Sequence, residues 1–157
     1  MAFYKWTEAM SVGVPLVDSD HRALIGVINR LHDRVEGDGK PSDLAEIFDA
    51  LIAYTEFHFA REEKVMAACN FPPAKSHQEE HASFTQRIYD LRERHARDPS
   101  AAMMHDLLDY LKDWLSHHIL IQDMAFKPFA ENNEAANEVA RMFGPGLSDV
   151  AKEPESV

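Results

Sequence analysis

Five of the nine histidines fall into four amphipathic stretches at spacings that place them on helix faces, and two carboxylates fall beside them. The set is His21, His58 with Glu62, His77 with His81, and His118 with Asp123. His58/Glu62 and His77/His81 are i, i+4 pairs. On an α-helix such residues sit one turn apart on one face, separated by ~6 Å of rise. Each pair can therefore present two side chains to one centre. Seven such groups exceed the four ligands of a structural zinc. They suit two octahedral ions sharing carboxylates, and imidazole with carboxylate and no thiolate points to iron among the common metals.

The stretches themselves predict long helices. The first runs from Asp18 as N-cap to about Glu36, with Leu24, Ile25, Ile28, Leu31 and Val35 as its apolar stripe and Gly37 and Gly39 as its stop. The second starts at Ser42 or Asp43 and reaches about Ala68, carrying Leu44, Ile47, Phe48 and Leu51 before His58, Glu62 and Val65. Asn70, Pro72 and Pro73 turn the chain into the third, which carries His77, His81, Phe84, Ile88 and Leu91 to about Ala96. Asp98-Pro99 opens the fourth, with Leu107, Leu108, Leu111, Trp114, Leu115 and His118. Nothing alternates as a strand. Four such helices with short connections predict an all-α, up-down-up-down four-helix bundle.

That topology tests the histidines. In antiparallel neighbours the start of the first helix lies beside the end of the second, the start of the third and the end of the fourth. His21 is early in the first, His58 and Glu62 late in the second, His77 and His81 early in the third, and His118 and Asp123 late in the fourth. All seven map to one end. A lone histidine on an apolar stripe is ordinarily a satisfied core residue, but that reading must hold five times over and also bury Glu62, whose charge is costly without a partner. His32, His95 and His105 fail the test and are assigned to surface or boundary roles. His117 is rotated ~100° from His118 and off the stripe formed by Leu111, Trp114 and Leu115. Asp123, at i+5 from His118, is rotated ~140° from it, and face counting does not place it. Cys69 is read as a buried thiol, and Met66, Met103, Met104 and Met124 as packing.

Bulk properties exclude several roles. A net charge of −11 argues against nucleic acid or an anionic membrane surface as partner. No apolar run approaches the ~20 residues of a membrane span, and the N-terminus shows no apolar signal core. The single cysteine leaves no internal disulfide and points to a reducing compartment, so a cytoplasmic location is expected. Residues 1–17, broken by Gly13 and Pro15, read as an N-terminal arm packed on the bundle. The bundle domain is expected over 1–130. Residues 131–157 read as an extension, with a short helix from Asn132 to Met142, a stop at Gly144-Pro145-Gly146, and an acidic disordered tail.

The stretches WTEAMSVGVPLVDSDHRAL, HFAREEKVMAACNFPPAKSHQEEH and WLSHHILIQD resemble the hemerythrins, of the stand-alone bacterial kind. Myohemerythrin is among the standard four-helix bundles, so the resemblance implies the same architecture. It also implies a role for Asp123, and two irons with an oxo or hydroxo bridge. One iron would be held by His77, His81 and His118, the other by His21 and His58 with one position open, and Glu62 and Asp123 would bridge them. O2 would bind reversibly at the open position. Five neutral imidazoles and two carboxylates make a less anionic site than ferritin-like ones, which favours O2 binding over activation. An apolar wall of Leu24, Ile25, Phe59, Leu115 and Ile119, without an obvious proton donor, would protect it. The expected role is O2 storage, buffering or delivery by a non-enzymatic monomer. The alternatives are a di-iron enzyme reducing peroxide or nitric oxide, or an oxygen- or iron-sensing module, for which 157 residues leave no signalling domain. Phe126 departs from the tyrosine frequent in the family, and the segment after Phe129 has no counterpart in its pattern.

Overall fold

A computed structural model describes residues 4–37 and 44–147. Its elements are α1 (Pro15–Glu36), α2 (Ala45–Ala53), α3 (Phe59–Ala68), α4 (Ala74–Arg97), α5 (Ala101–Asp113), α6 (Lys127–Ala130) and α7 (Glu134–Arg141). A π-helical turn, Tyr54–His58, fuses α2 and α3 into one rod. A longer π-helical stretch, Trp114–Gln122, extends α5, followed by a 3₁₀ turn at Asp123–Phe126. The rods are therefore α1, α2–α3, α4 and α5–α6. α1 packs on α5 and α2, and α4 on α2, α3 and α5, closing the four-helix bundle.

Helix ends follow local chemistry, with two differences from expectation. α1 begins at Pro15, three residues before Asp18, because a proline with its fixed φ is at home in a first turn. Asp18 instead accepts the Val12 N–H at 2.8 Å and the Ser11 hydroxyl at 2.5 Å, fastening the arm to the helix. The cap of α5 is Ser100, whose hydroxyl accepts the Met103 N–H at 3.2 Å, rather than Asp98-Pro99. The expected cap at Ser42 or Asp43, and Gly39, lie outside the described residues. Asn70 (φ 55°) turns the chain between α3 and α4.

The arm is strapped down as expected: Asn29 accepts the Tyr4 N–H at 2.7 Å and donates to its carbonyl at 2.8 Å. The C-terminal segment also packs. α7, capped by Asn133, lies against α3 and α1 with Ala136 and Ala140 fully buried. Gly13, at φ +82°, passes so close that an added Cβ would meet the Glu131 side chain at 2.9 Å. The docked segment continues through Gly144 to Leu147, past the point where the sequence suggests a free tail. The acidic stretch 148–157 lies outside the described residues. No helix among the described residues is long and apolar enough to cross a membrane.

The core divides along the axis. Away from the seven clustered side chains it is apolar: Leu31, Leu44, Phe48, Ile88, Leu91, Met103 and Leu107. At the other end the four rods bury His21, His58, Glu62, His77, His81, His118 and Asp123 together with Asp20 and Arg61.

Candidate metal centre

The structure brings all seven sequence-predicted side chains together. They form two overlapping groups whose donor atoms lie within 4.8 Å of one another: Glu62, His77, His81, His118 and Asp123, and His21, His58, Glu62 and Asp123. The carboxylates belong to both groups. Glu62 Oε2 lies 3.3 Å from His21 Nε2 and 3.0 Å from His58 Nε2, while its Oε1 lies 2.8 Å from His77 Nε2 and 2.9 Å from His81 Nε2. Asp123 divides the same way. Its Oδ2 is 3.2 Å from His21 Nε2, and its Oδ1 is 2.8 Å from His77 Nε2 and 3.0 Å from His118 Nε2. Each carboxylate thus turns one oxygen to a two-imidazole side and the other to a three-imidazole side.

Asp123 owes its place to the π-helical stretch. Its backbone N–H donates to the His118 carbonyl, an i→i−5 bond. That wider turn brings i+5 beneath i, which an α-helical count places ~140° away. His118 is buried in the cluster, while His117 is exposed with its Nδ1 beside the Asp113 carbonyl. His32 and His95 are partly buried outside the centre and His105 is exposed. Cys69 is buried outside the site, its thiol against the Met66 carbonyl, and burial pushes that thiol up.

The polar atoms are arranged for cations. Both Asp123 oxygens and Nε2 of His58 and His118 are buried without a hydrogen-bond partner, although they stand at ion-pair distances. They aim into the space between them rather than at one another. His58 Nδ1 is 2.9 Å from Asp20 Oδ2, and His118 Nδ1 is 2.8 Å from Glu80 Oε2. A carboxylate only accepts, so Nδ1 carries the proton in both rings and Nε2 presents its lone pair inward, the tautomer a metal ligand requires. Two carboxylates facing inward-pointing nitrogens at about 3 Å need positive charge between them. Two metal ions fit that requirement, and the imidazole–carboxylate donor set fits iron.

Without a cation, protons fill the role. Burial opposes charge on these rings, but hydrogen bonds and the charges of Asp123 and Glu62 outweigh it. They raise His21 to about 10, His77 to about 9 and His118 to about 10, while Glu62 and Asp20 raise His58. Burial would likewise raise the two acids. The surrounding imidazoles overcome that and hold Glu62 well below the usual carboxylate range and Asp123 below it too.

Leu24, Ile25, Phe59, Leu115 and Ile119 are all buried. Aromatic rings hold the imidazoles flat: Phe59 stacks on His81 at 3.9 Å and 5°, and Trp114 on His118 at 3.9 Å and 10°. Tyr54 stacks on His58 at 4.5 Å, a buried phenol that an apolar-stripe reading overlooks. Burial, with the charges of Glu62 and Asp123, pushes its hydroxyl well above its ordinary 10, so it keeps its proton. Sequence reasoning also missed Asp20, Arg61 and Glu80. Asp20 and Arg61 are fully buried immediately beside His21 and between His58 and Glu62.

Residues 12–130 match the family model described as the Hemerythrin HHE cation binding domain. A bacteriohemerythrin of Ralstonia nicotianae is 32% identical over 123 residues, covering 78% of this chain and 85% of that protein. The bacteriohemerythrin of Methylococcus capsulatus is 31% identical over 130 residues, covering 82% and 97%. Among solved structures, wild-type hemerythrin aligns with a TM-score of 0.72 at 27% identity, over 83% of this chain and 99% of that one. A leucine-to-alanine mutant of hemerythrin gives 0.73.

Proposed function

This chain belongs to the hemerythrin family, and from that premise we propose that it is a non-heme di-iron protein that binds O2 reversibly. The observation that carries the reading is the division of Glu62 and Asp123, each with one oxygen toward His21 or His58 and one toward the three remaining imidazoles. His77, His81 and His118 would hold one iron and His21 and His58 the other, with Glu62 and Asp123 within reach of both. The His21/His58 side offers one imidazole fewer, which would leave room there for O2. When bound, two irons with an oxo or hydroxo group would supply reversible electron exchange with O2.

The chain's own residues do the rest. Asp20 and Glu80 hold the protons at Nδ1 of His58 and His118, which fixes both rings. Trp114 and Phe59 keep His118 and His81 from rotating. Leu24, Ile25, Leu115 and Ile119 exclude water, which suppresses irreversible oxidation. Five neutral imidazoles favour binding over turnover. The role is storage, buffering or delivery of O2 rather than catalysis, by a monomer in the cytoplasm with O2 as its ligand.

The test is the visible absorption of the reduced, iron-loaded protein. A charge-transfer band that appears in air and disappears under vacuum, over repeated cycles, supports the proposal. Rapid irreversible oxidation, or steady consumption of peroxide or nitric oxide at ~1 per second or more, would replace it with an enzymatic reading.

A further inference from the structure

We propose that the segment Ala140–Leu147 is a latch that positions His58 for metal, acting through Arg61 and Asp20. The inference rests on the di-iron reading of the centre. Arg61 is fully buried on α3, between His58 and Glu62 in sequence but turned away from them toward α7. Its Nε donates to the Ala140 carbonyl at 3.1 Å. Its Nη2 donates to the carbonyls of Phe143, Gly144 and Pro145 at 3.0, 2.9 and 3.0 Å. Its Nη1 donates to Asp20 Oδ1 at 2.7 Å and to the Leu16 carbonyl at 3.3 Å.

Asp20 is the next link. Its Oδ1 also accepts the Leu147 backbone N–H at 2.8 Å, so one oxygen is held from two directions. The other oxygen, Oδ2, is thereby left facing His58 Nδ1 at 2.9 Å. An unbroken path of buried hydrogen bonds therefore joins the C-terminal segment to a ligand of the iron with the open position. Leu147 also packs on the apolar core, but it is its backbone N–H that enters this path. A buried arginine costs much unless its donors are filled, and here the C-terminal segment fills most of them. The support of His118 is built differently. Glu80 is 39% exposed, so water can take over part of its role. His58 has no such substitute.

Asp20 and Arg61 are thus positioning residues: they touch no metal and act through His58. Loss of such a support commonly weakens metal binding ten- to a hundredfold. The effect should fall on one iron of the two.

The experiment follows iron release from the full-length, iron-loaded protein to a ferrous-iron chelator, with total iron per chain measured first. Leu147→Pro removes the N–H that Asp20 accepts, and Leu147→Ala keeps it. Arg61→Lys keeps the charge but loses the fork. Asp20→Asn keeps the shape and removes the charge facing Nδ1. We expect Leu147→Pro, Arg61→Lys and Asp20→Asn each to release one iron about ten- to a hundredfold faster, with the second iron within about twofold of wild type, and Leu147→Ala, which loses packing on the core but keeps the N–H, to fall well short of Leu147→Pro. If a variant fails to fold, the others still decide. Equal acceleration of both irons would mean a merely structural role and would overturn the latch, as would no acceleration. A wild-type chain that holds no iron would instead overturn the di-iron reading, and the latch with it.

Discussion

At the end of the bundle away from the seven clustered side chains, Leu31, Leu44, Phe48, Met103 and Leu107 fill the space between the rods with groups that need no partner. At the other end the same rods bury five imidazoles, four carboxylates and a guanidinium. The apolar end is stabilised by area removed from water, at roughly 25 cal/mol per Å². The polar end gains little that way, and it stands only if each charge meets its complement. The two ends also differ in backbone. The rods are regular α-helix through Ala45–Leu51 and Met103–Leu111, and among the described residues they widen into π turns at Tyr54–His58 and Trp114–Gln122, where the ligand-bearing residues begin. Such turns recur at functional sites because they re-aim side chains at the expense of ideal hydrogen bonding. The difference teaches that one end holds the fold and the other uses that fold to keep an unfavourable cluster ready for cations.

The sharpest way to break the comparison is Glu62→Ala. Its carboxylate contacts His21, His58, His77 and His81, so its loss should abolish iron retention altogether, as elemental analysis will show. A variant that still holds two irons would show that the bridge is not needed. Leu107→Ala, at the other end, should do the opposite. It should lower the free energy of unfolding by about 2–5 kcal/mol in denaturant titration and leave iron content unchanged. Loss of iron there would mean that the two ends are not separable.

The metal-free chain offers a pH test. With imidazole values raised above 6.5, the folded chain binds protons that the unfolded chain releases. The resulting stability is complete below about 6.5 and fades as pH climbs through about 9 to about 10. The thermal midpoint of metal-free protein should therefore fall across that alkaline window, and the iron-loaded protein should show no such fall. Iron uptake at neutral pH should also release protons. The smallest effect separates the neighbouring histidines. His117→Ala should change stability by no more than ~0.5 kcal/mol and keep iron, whereas His118→Ala should lose it.

Much of this was legible in the sequence, for reasons that mark where such reading stops. The i, i+4 pairs His58/Glu62 and His77/His81 lie on regular or nearly regular helix, so counting places them. Asp123 lies one π-helical turn from His118, and only the family resemblance could place it, because an α-helical count assumes the wrong period. Asp20 and Arg61 were not legible at all. Each is a charged residue beside a ligand in sequence, where a solvated face is the ordinary expectation. Their partners lie far along the chain: His58 is 38 residues from Asp20, and the Pro145 carbonyl is 84 from Arg61. Periodicity carries no information at that range. The docking of Pro145–Leu147 was hidden for the same reason, since Gly144-Pro145-Gly146 reads locally as a stop and its carbonyl acceptors carry no side-chain signal.

The account stands or falls on whether metal matters at one end of the bundle only, and amide hydrogen exchange with and without iron measures that directly. Iron should slow exchange in residues 54–62, 77–81, 114–123 and 140–147 and leave residues 44–51 and 103–111 unchanged. Exchange that is the same with and without iron, or that changes equally along all four rods, would contradict it.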